Sequence, residues 1–117
     1  MTESEIQECI AGHESRNAEL RKVITARGVD LSAKRPIECH FWASKHRDGV
    51  ELANSLFHQG YSILILARHA NKEKELWNIE AEIETSIEEA LGFHFTAALV
   101  RLATFHSDKY DGWGTSI

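Results

Sequence analysis

The chain is short of the residues that punctuate, staple or anchor proteins. One proline in 117 residues, with no low-complexity tract, excludes long disordered linkers. The two cysteines, Cys9 and Cys39, form no Cys-x-x-Cys and cannot build a disulfide framework. Each suits a small buried apolar position instead. The longest apolar run, Ile63 to Ala67, is far too short to cross a bilayer. Met1 to Glu5 has neither the basic nor the apolar region of a secretory signal, so a cytoplasmic chain without membrane contact is expected. Signatures of chemistry are missing too. There is no Gly-x-Ser-x-Gly elbow, no Gly-rich phosphate loop and no His-x-x-x-His pair. No catalytic residue, metal or cofactor is expected.

Positive charge is also scarce. A formal charge of −5 disfavours nonspecific binding to nucleic acid, which depends on Lys and Arg neutralising phosphates. Between Glu73 and Glu89 there are seven glutamates, and Lys74 is the only positive residue. Such a run is either a solvated face or a surface for a basic partner. The seven histidines have no ligand spacing, and His94 and His106 are too far apart on one helix to share an ion.

What is present is ordinary globular material, 43% hydrophobic and 26% charged, long enough for one domain over residues 1–117. Residues 1–28 read as an amphipathic helix. Thr2 and Glu5 form a capping box, Ile6, Ile10, His13, Leu20, Val23 and Ile24 form the stripe, and Gly28 is the stop. A linker from Val29 to Pro36 should follow. From Ile37 the period becomes two, with Ile37, Cys39, Phe41 and Ala43 on one side and Glu38, His40 and Trp42 on the other. Ser44 is the expected N-cap of a second helix whose core stripe is Val50, Ala53, Leu56 and Phe57, with Leu52 at its margin and Gly60 as stop. Tyr61 to Ala67 reads as a strand covered on both faces. A polar tip, His69 to Lys74, should join it to a strand in which Trp77, Ile79, Ala81 and Ile83 alternate with Asn78, Glu80, Glu82 and Glu84. A helix between Ser86 and Ser107 should bury Phe95, Ala98, Leu99, Leu102, Ala103 and Phe105, with Gly92 leaving Ser86 to Leu91 as a separate turn or its first part. The tail can add a last strand.

The order strand, helix, strand, strand, helix, strand over residues 37–117 suits two split βαβ units. The expected fold is α+β: a ferredoxin-like antiparallel sheet with helices on one face, plus the extra N-terminal helix. Its other face should carry Glu38, His40 and Trp42 beside Glu80, Glu82 and Glu84, with His40 and Glu80 as cross-strand neighbours. That face stays bare unless the N-terminal helix or a second copy of the chain covers it. RNA-recognition domains stack bases on aromatics of such a face, but here the third strand presents carboxylates and no Lys/Arg-Gly-aromatic signature. Direct binding of nucleic acid is not expected.

The C-terminal residues Tyr110-Asp111-Gly112-Trp113-Gly114-Thr115 put two aromatic anchors around an Asp-Gly turn dipeptide. This string, directly after an apolar helix, resembles the signature of the bacterial B-type regulators of ribonuclease E activity, and the order of elements from about Glu5 onward is similar to that family. The resemblance implies the ferredoxin-like sandwich, a structural turn at Tyr110, Asp111, Gly112, Trp113 and Gly114, and a non-catalytic protein that binds ribonuclease E and reduces RNA degradation. The partner is expected to be that enzyme or another basic protein, and a homodimer is compatible with the pattern. The competing expectation is a small-molecule-sensing or catalytic domain on the same fold, at a dimer interface.

Overall fold

The computed structural model describes residues 1–70 and 75–117. Its elements run α1 (Glu3–Ala26), β1 (Lys34–Ala43), α2 (His46–His58), β2 (Ser62–Ala70), β3 (Glu75–Ser86), α3 (Ile87–Leu91), α4 (Phe93–Phe105) and β4 (Lys109–Gly114). The four strands form one antiparallel sheet in the order β2-β3-β1-β4, the α+β arrangement expected from the sequence. Of the expected hairpin tip, His69 and Ala70 belong to β2; residues 71–74 lie outside the described residues.

The alternation in β1 and β3 holds because one face is apolar and covered. Ile37, Cys39, Phe41, Ala43, Ile79 and Ala81 are buried on the side that α2 and α3 cover, while the intervening side chains are half-exposed. Gly49 lets α2 approach closely, since a Cβ there would stand 3.3 Å from Ala43 Cβ. Helix α1 starts with the expected capping box and lies on this same helical side. Arg101 holds Glu3 at 2.7 Å and Arg21 holds Glu88 at 2.8 Å, orienting α1 along α4 and α3. The other face of the sheet is therefore not covered by the N-terminal helix.

Several expectations need correction. Pro36 does not close a linker but sits inside β1, opposite Glu84. Pairing to β4 begins only at Glu38, so the missing N–H faces no ladder, and the Pro36 carbonyl accepts from Thr115 Oγ1 at 2.7 Å. The N-cap of α2 is Lys45 rather than Ser44. Its buried side is Gly49, Leu52, Ala53 and Leu56, leaving Val50 and Phe57 exposed. Strand β2 is an edge strand with one bulge, and its Leu64 and Ile65 are 45% and 38% exposed rather than covered on both faces. The last helical segment is broken at Gly92, and its core side is Thr96, Ala97, Leu99, Val100 and Ala103. Ala98 is exposed, Phe95 and Leu102 are half-buried, and Phe105 is 82% exposed. On α1, Leu20 and Val23 are exposed, whereas Asn17 is buried beside Ile10, His13 and Ile24.

Candidate functional site

Strand register places the six acidic, imidazole and aromatic residues singled out in the sequence on the bare face. Glu38 lies opposite Glu82, His40 opposite Glu80, Trp42 opposite Asn78, and Glu84 opposite Pro36 at the strand ends. His40 Nδ1 is 3.4 Å from Glu80 Oε1, the cross-strand pair expected from the sequence. Trp42 meets the His69 ring edge-on at 5.6 Å, which fixes the indole over β3. Among the described residues, no lysine or arginine is within ion-pair distance of Glu38, Glu80, Glu82 or Glu84. Glu38 and Glu82 stand directly opposite across the ladder, an arrangement in which like charges are in general destabilising. Two other glutamates of the acidic run behave differently: Glu75 pairs with Arg68 at 3.0 Å and Glu88 with Arg21.

Beyond β1 the face drops onto β4, where Gly112 and Gly114 lie opposite His40 and Glu38. Gly112 has φ +117°, a conformation that side chains rarely adopt. His40 Nε2 approaches the position of a Gly114 Cβ at 4.0 Å. Two grooves flank this shelf. One, of about 350 Å³, is lined by Pro36, Glu38, Glu82, Gly114, Thr115 and Ser116. The other, of about 390 Å³, lies at the opposite end between Trp42, Ala43, Ser44, Leu76, Ser107, Asp108 and Lys109. Sequence reasoning missed Leu76, Lys109 and Asp108. Leu76 and Lys109 fall on this face by register alone, and no motif marks them.

The Tyr-Asp-Gly-Trp-Gly string is held down by α1. The Trp113 indole N–H donates to Asn17 Oδ1 at 3.1 Å, and Asn17 Nδ2 donates to Thr96 Oγ1 at 3.2 Å. His13 Nε2 donates to the Tyr110 carbonyl at 3.1 Å, which requires the Nε2–H tautomer, so Nδ1 is free to accept from Arg16 at 3.0 Å. Burial, followed by the Arg16 charge, lowers the pKa of His13 and keeps the ring neutral. Thus α1 blocks the outer edge of β4 with polar groups in register with it. Sequence reasoning put His13 on the helical stripe and missed Asn17, although the two form a polar pair at helical spacing between Ile10 and Ile24. We predict that Asn17→Ala, which strands the indole N–H, lowers stability by about 1–3 kcal/mol. A double-mutant cycle with Trp113→Phe, read by urea unfolding, should be non-additive. Additive losses would mean the bond contributes nothing.

The model of the family described as regulator of ribonuclease activity B (RraB) matches residues 14–115, which is most of the chain. The chain belongs to this family. The RraB match takes in the later part of α1, with Asn17, the four described strands, and the signature turn through Thr115. Comparison with individual curated proteins gives no match. Within this RraB chain the described residues bring no three His, Cys, Asp or Glu side chains together as metal ligands. The Cys39 thiol is buried, and that burial pushes its pKa up to about 12, far from a reactive thiolate. No helix among the described residues is long and apolar enough to cross a membrane.

Proposed function

We propose that this chain is a non-catalytic regulator that docks on ribonuclease E, or on another basic protein, through the bare sheet face and thereby lowers RNA degradation. The family's description as a regulator of ribonuclease activity supports the partner class. The observation that supports the docking face is the ladder of carboxylates, Glu38, Glu80, Glu82 and Glu84, none of them within ion-pair distance of a lysine or arginine among the described residues. A basic segment laid along β1 and β3 relieves the Glu38–Glu82 repulsion and gains charge complementarity, which speeds encounter and weakens with salt. His40 within the ladder and Trp42 at its end add contact area of the kind that anchors interfaces. The glycine shelf of β4 leaves room for a partner side chain beside the carboxylates.

Changing Glu80, Glu82 and Glu84 together to Gln should weaken binding to purified ribonuclease E at low salt by on the order of tenfold, and flatten its salt dependence. The same variant should lose inhibition of RNA cleavage while unfolding at an unchanged urea midpoint or a higher one. Affinity and salt slope equal to wild type would remove this face from the account. No binding by wild type at all would remove ribonuclease E as the partner.

A further inference from the structure

The two edges of the sheet are not treated alike. The outer edge of β4 is blocked by α1, whose His13 ring takes the Tyr110 carbonyl. The outer edge of β2 pairs with nothing among the described residues, and it runs for nine residues, Ser62–Ala70. Exposed edges are usually blunted by proline, lysine or inward-pointing charge. Here there is one bulge, at Leu64, and one formal charge, Arg68, which Glu75 holds at 3.0 Å. Apolar side chains flank this edge above and below. Leu64 and Ile65 are exposed on β2 itself, and Val50 and Phe57 are exposed on α2. Val50 and Phe57 stand seven residues apart and so share one helical face. Ser55, bonded to His106 at 2.9 Å, and Glu51, 4.0 Å from the same ring, turn the opposite flank toward α4. Val50 and Phe57 therefore overhang β2.

We infer that the β2 edge is the seam of a homodimer, in which β2 of two copies pair antiparallel about a twofold axis and join their sheets into one. The choice of a second copy as occupant follows from charge. The chain carries −5, with many of its acidic residues on α1, α3 and the bare face of the sheet. Among the described residues, Ser62 to His69, Val50 and Phe57 carry no carboxylate and Glu75 beside them is paired with Arg68, so two acidic copies meet along this seam without an unpaired carboxylate between them. A basic strand would find nothing to neutralise there. Antiparallel pairing also sets the two Arg68 side chains on opposite sides of the axis, each keeping its own Glu75, whereas parallel pairing would stack them. An antiparallel join keeps the helices on one side and both carboxylate faces on the other. This inference does not rest on the docking reading, and its test does not involve a ribonuclease.

Sedimentation equilibrium on the full chain should show dimer at about 200 µM protomer. Leu64→Lys and Phe57→Glu should each raise the dimer dissociation constant at least about tenfold, with unchanged far-UV circular dichroism. Independently, single cysteines at positions 64 to 67 in a Cys9→Ser background should cross-link on mild oxidation at the one or two positions nearest the axis. Phe105→Cys, on the far side, should not cross-link. Should either charge variant fail to fold, the cross-linking pattern decides the matter. A wild-type monomer at that concentration overturns the inference. So does a dimer indifferent to both charges, or cross-linking as strong at 105 as on β2.

Discussion

Replacing Asp108 with asparagine should make the protein more stable at pH 8 and leave it nearly unchanged at pH 4. Asp108 follows Ser107, a non-glycine residue at φ 62°, and its N–H closes the end of α4 on the Ala103 carbonyl at 2.8 Å. The side chain is only 6% exposed, and neither carboxyl oxygen has a hydrogen-bond partner among the described residues. Burial, then the charges of Asp48 and Glu51 on α2, push its pKa from 3.8 up to about 7. His106 beside Glu51 and Lys109 at the start of β4 are the cationic candidates in this corner, and neither is paired with Asp108.

The sign follows from proton binding. Between pH 4 and 7 the folded chain holds a proton on Asp108 that the unfolded chain has released, so stability falls as pH rises through this window. The group's contribution is intact below the unfolded pKa and is lost as pH passes through about 7. A shift of this size corresponds to an upper bound of about 4 kcal/mol, so a gain on the order of 2–4 kcal/mol at pH 8 is expected for Asp108→Asn. Urea unfolding of both proteins at pH 4, 6 and 8 isolates the effect, because every other titrating group is shared. A difference that does not change with pH would show that Asp108 ionises normally. Natural chains keep destabilising groups where function requires them, and Asp108 lines the groove beside Trp42.

What could be read from the sequence divides along physical lines. Antiparallel strands with one covered face write their burial directly as alternation, so the register of Glu38, His40 and Trp42 against Glu80 and Glu82 was legible, including the His40–Glu80 neighbours. Capping chemistry was legible at Thr2 and Glu5 because it is local. Gly92 was flagged as the weak point of the last helical segment for the same reason. Positions that depend on tertiary placement were not legible. Phe57 and Phe105 are hydrophobic and correctly spaced, yet each lies beside a buried face rather than on it. Hydropathy cannot separate adjacent helical faces about 100° apart. The run Ile63 to Leu66 reads as a fully covered strand, but whether a strand is central or at an edge belongs to topology. Pro36 looked like a breaker because its unpaired side could not be seen until β4 was placed next to β1. Asp108 carried no signal, since its environment is assembled from α2, α4 and β4.

The largest single effect is expected at Tyr110, the first residue of the signature string. Its ring is 2% exposed, lies 5.3 Å from Phe41 and 4.8 Å from His13, and fills the space between β4, β1 and α1. Truncation to Ala removes this packing and leaves a cavity, so Tyr110→Ala should cost about 3–5 kcal/mol, a large share of a small domain's stability. The hydroxyl behaves in the opposite way. It is buried with no hydrogen-bond partner among the described residues, and burial raises its pKa far above that of an ordinary phenol. An orphaned buried hydroxyl is a cost, so Tyr110→Phe should unfold at an equal or higher urea concentration than wild type, by up to about 1–2 kcal/mol. The His13 bond survives this change because it uses the Tyr110 backbone carbonyl, and the aromatic contacts survive because the ring remains. Chemical denaturation of the two variants at pH 6 separates the ring from its oxygen. If Tyr110→Phe instead loses stability comparable to Tyr110→Ala, the hydroxyl is bonded in solution, and the tail is anchored by a polar contact rather than by packing.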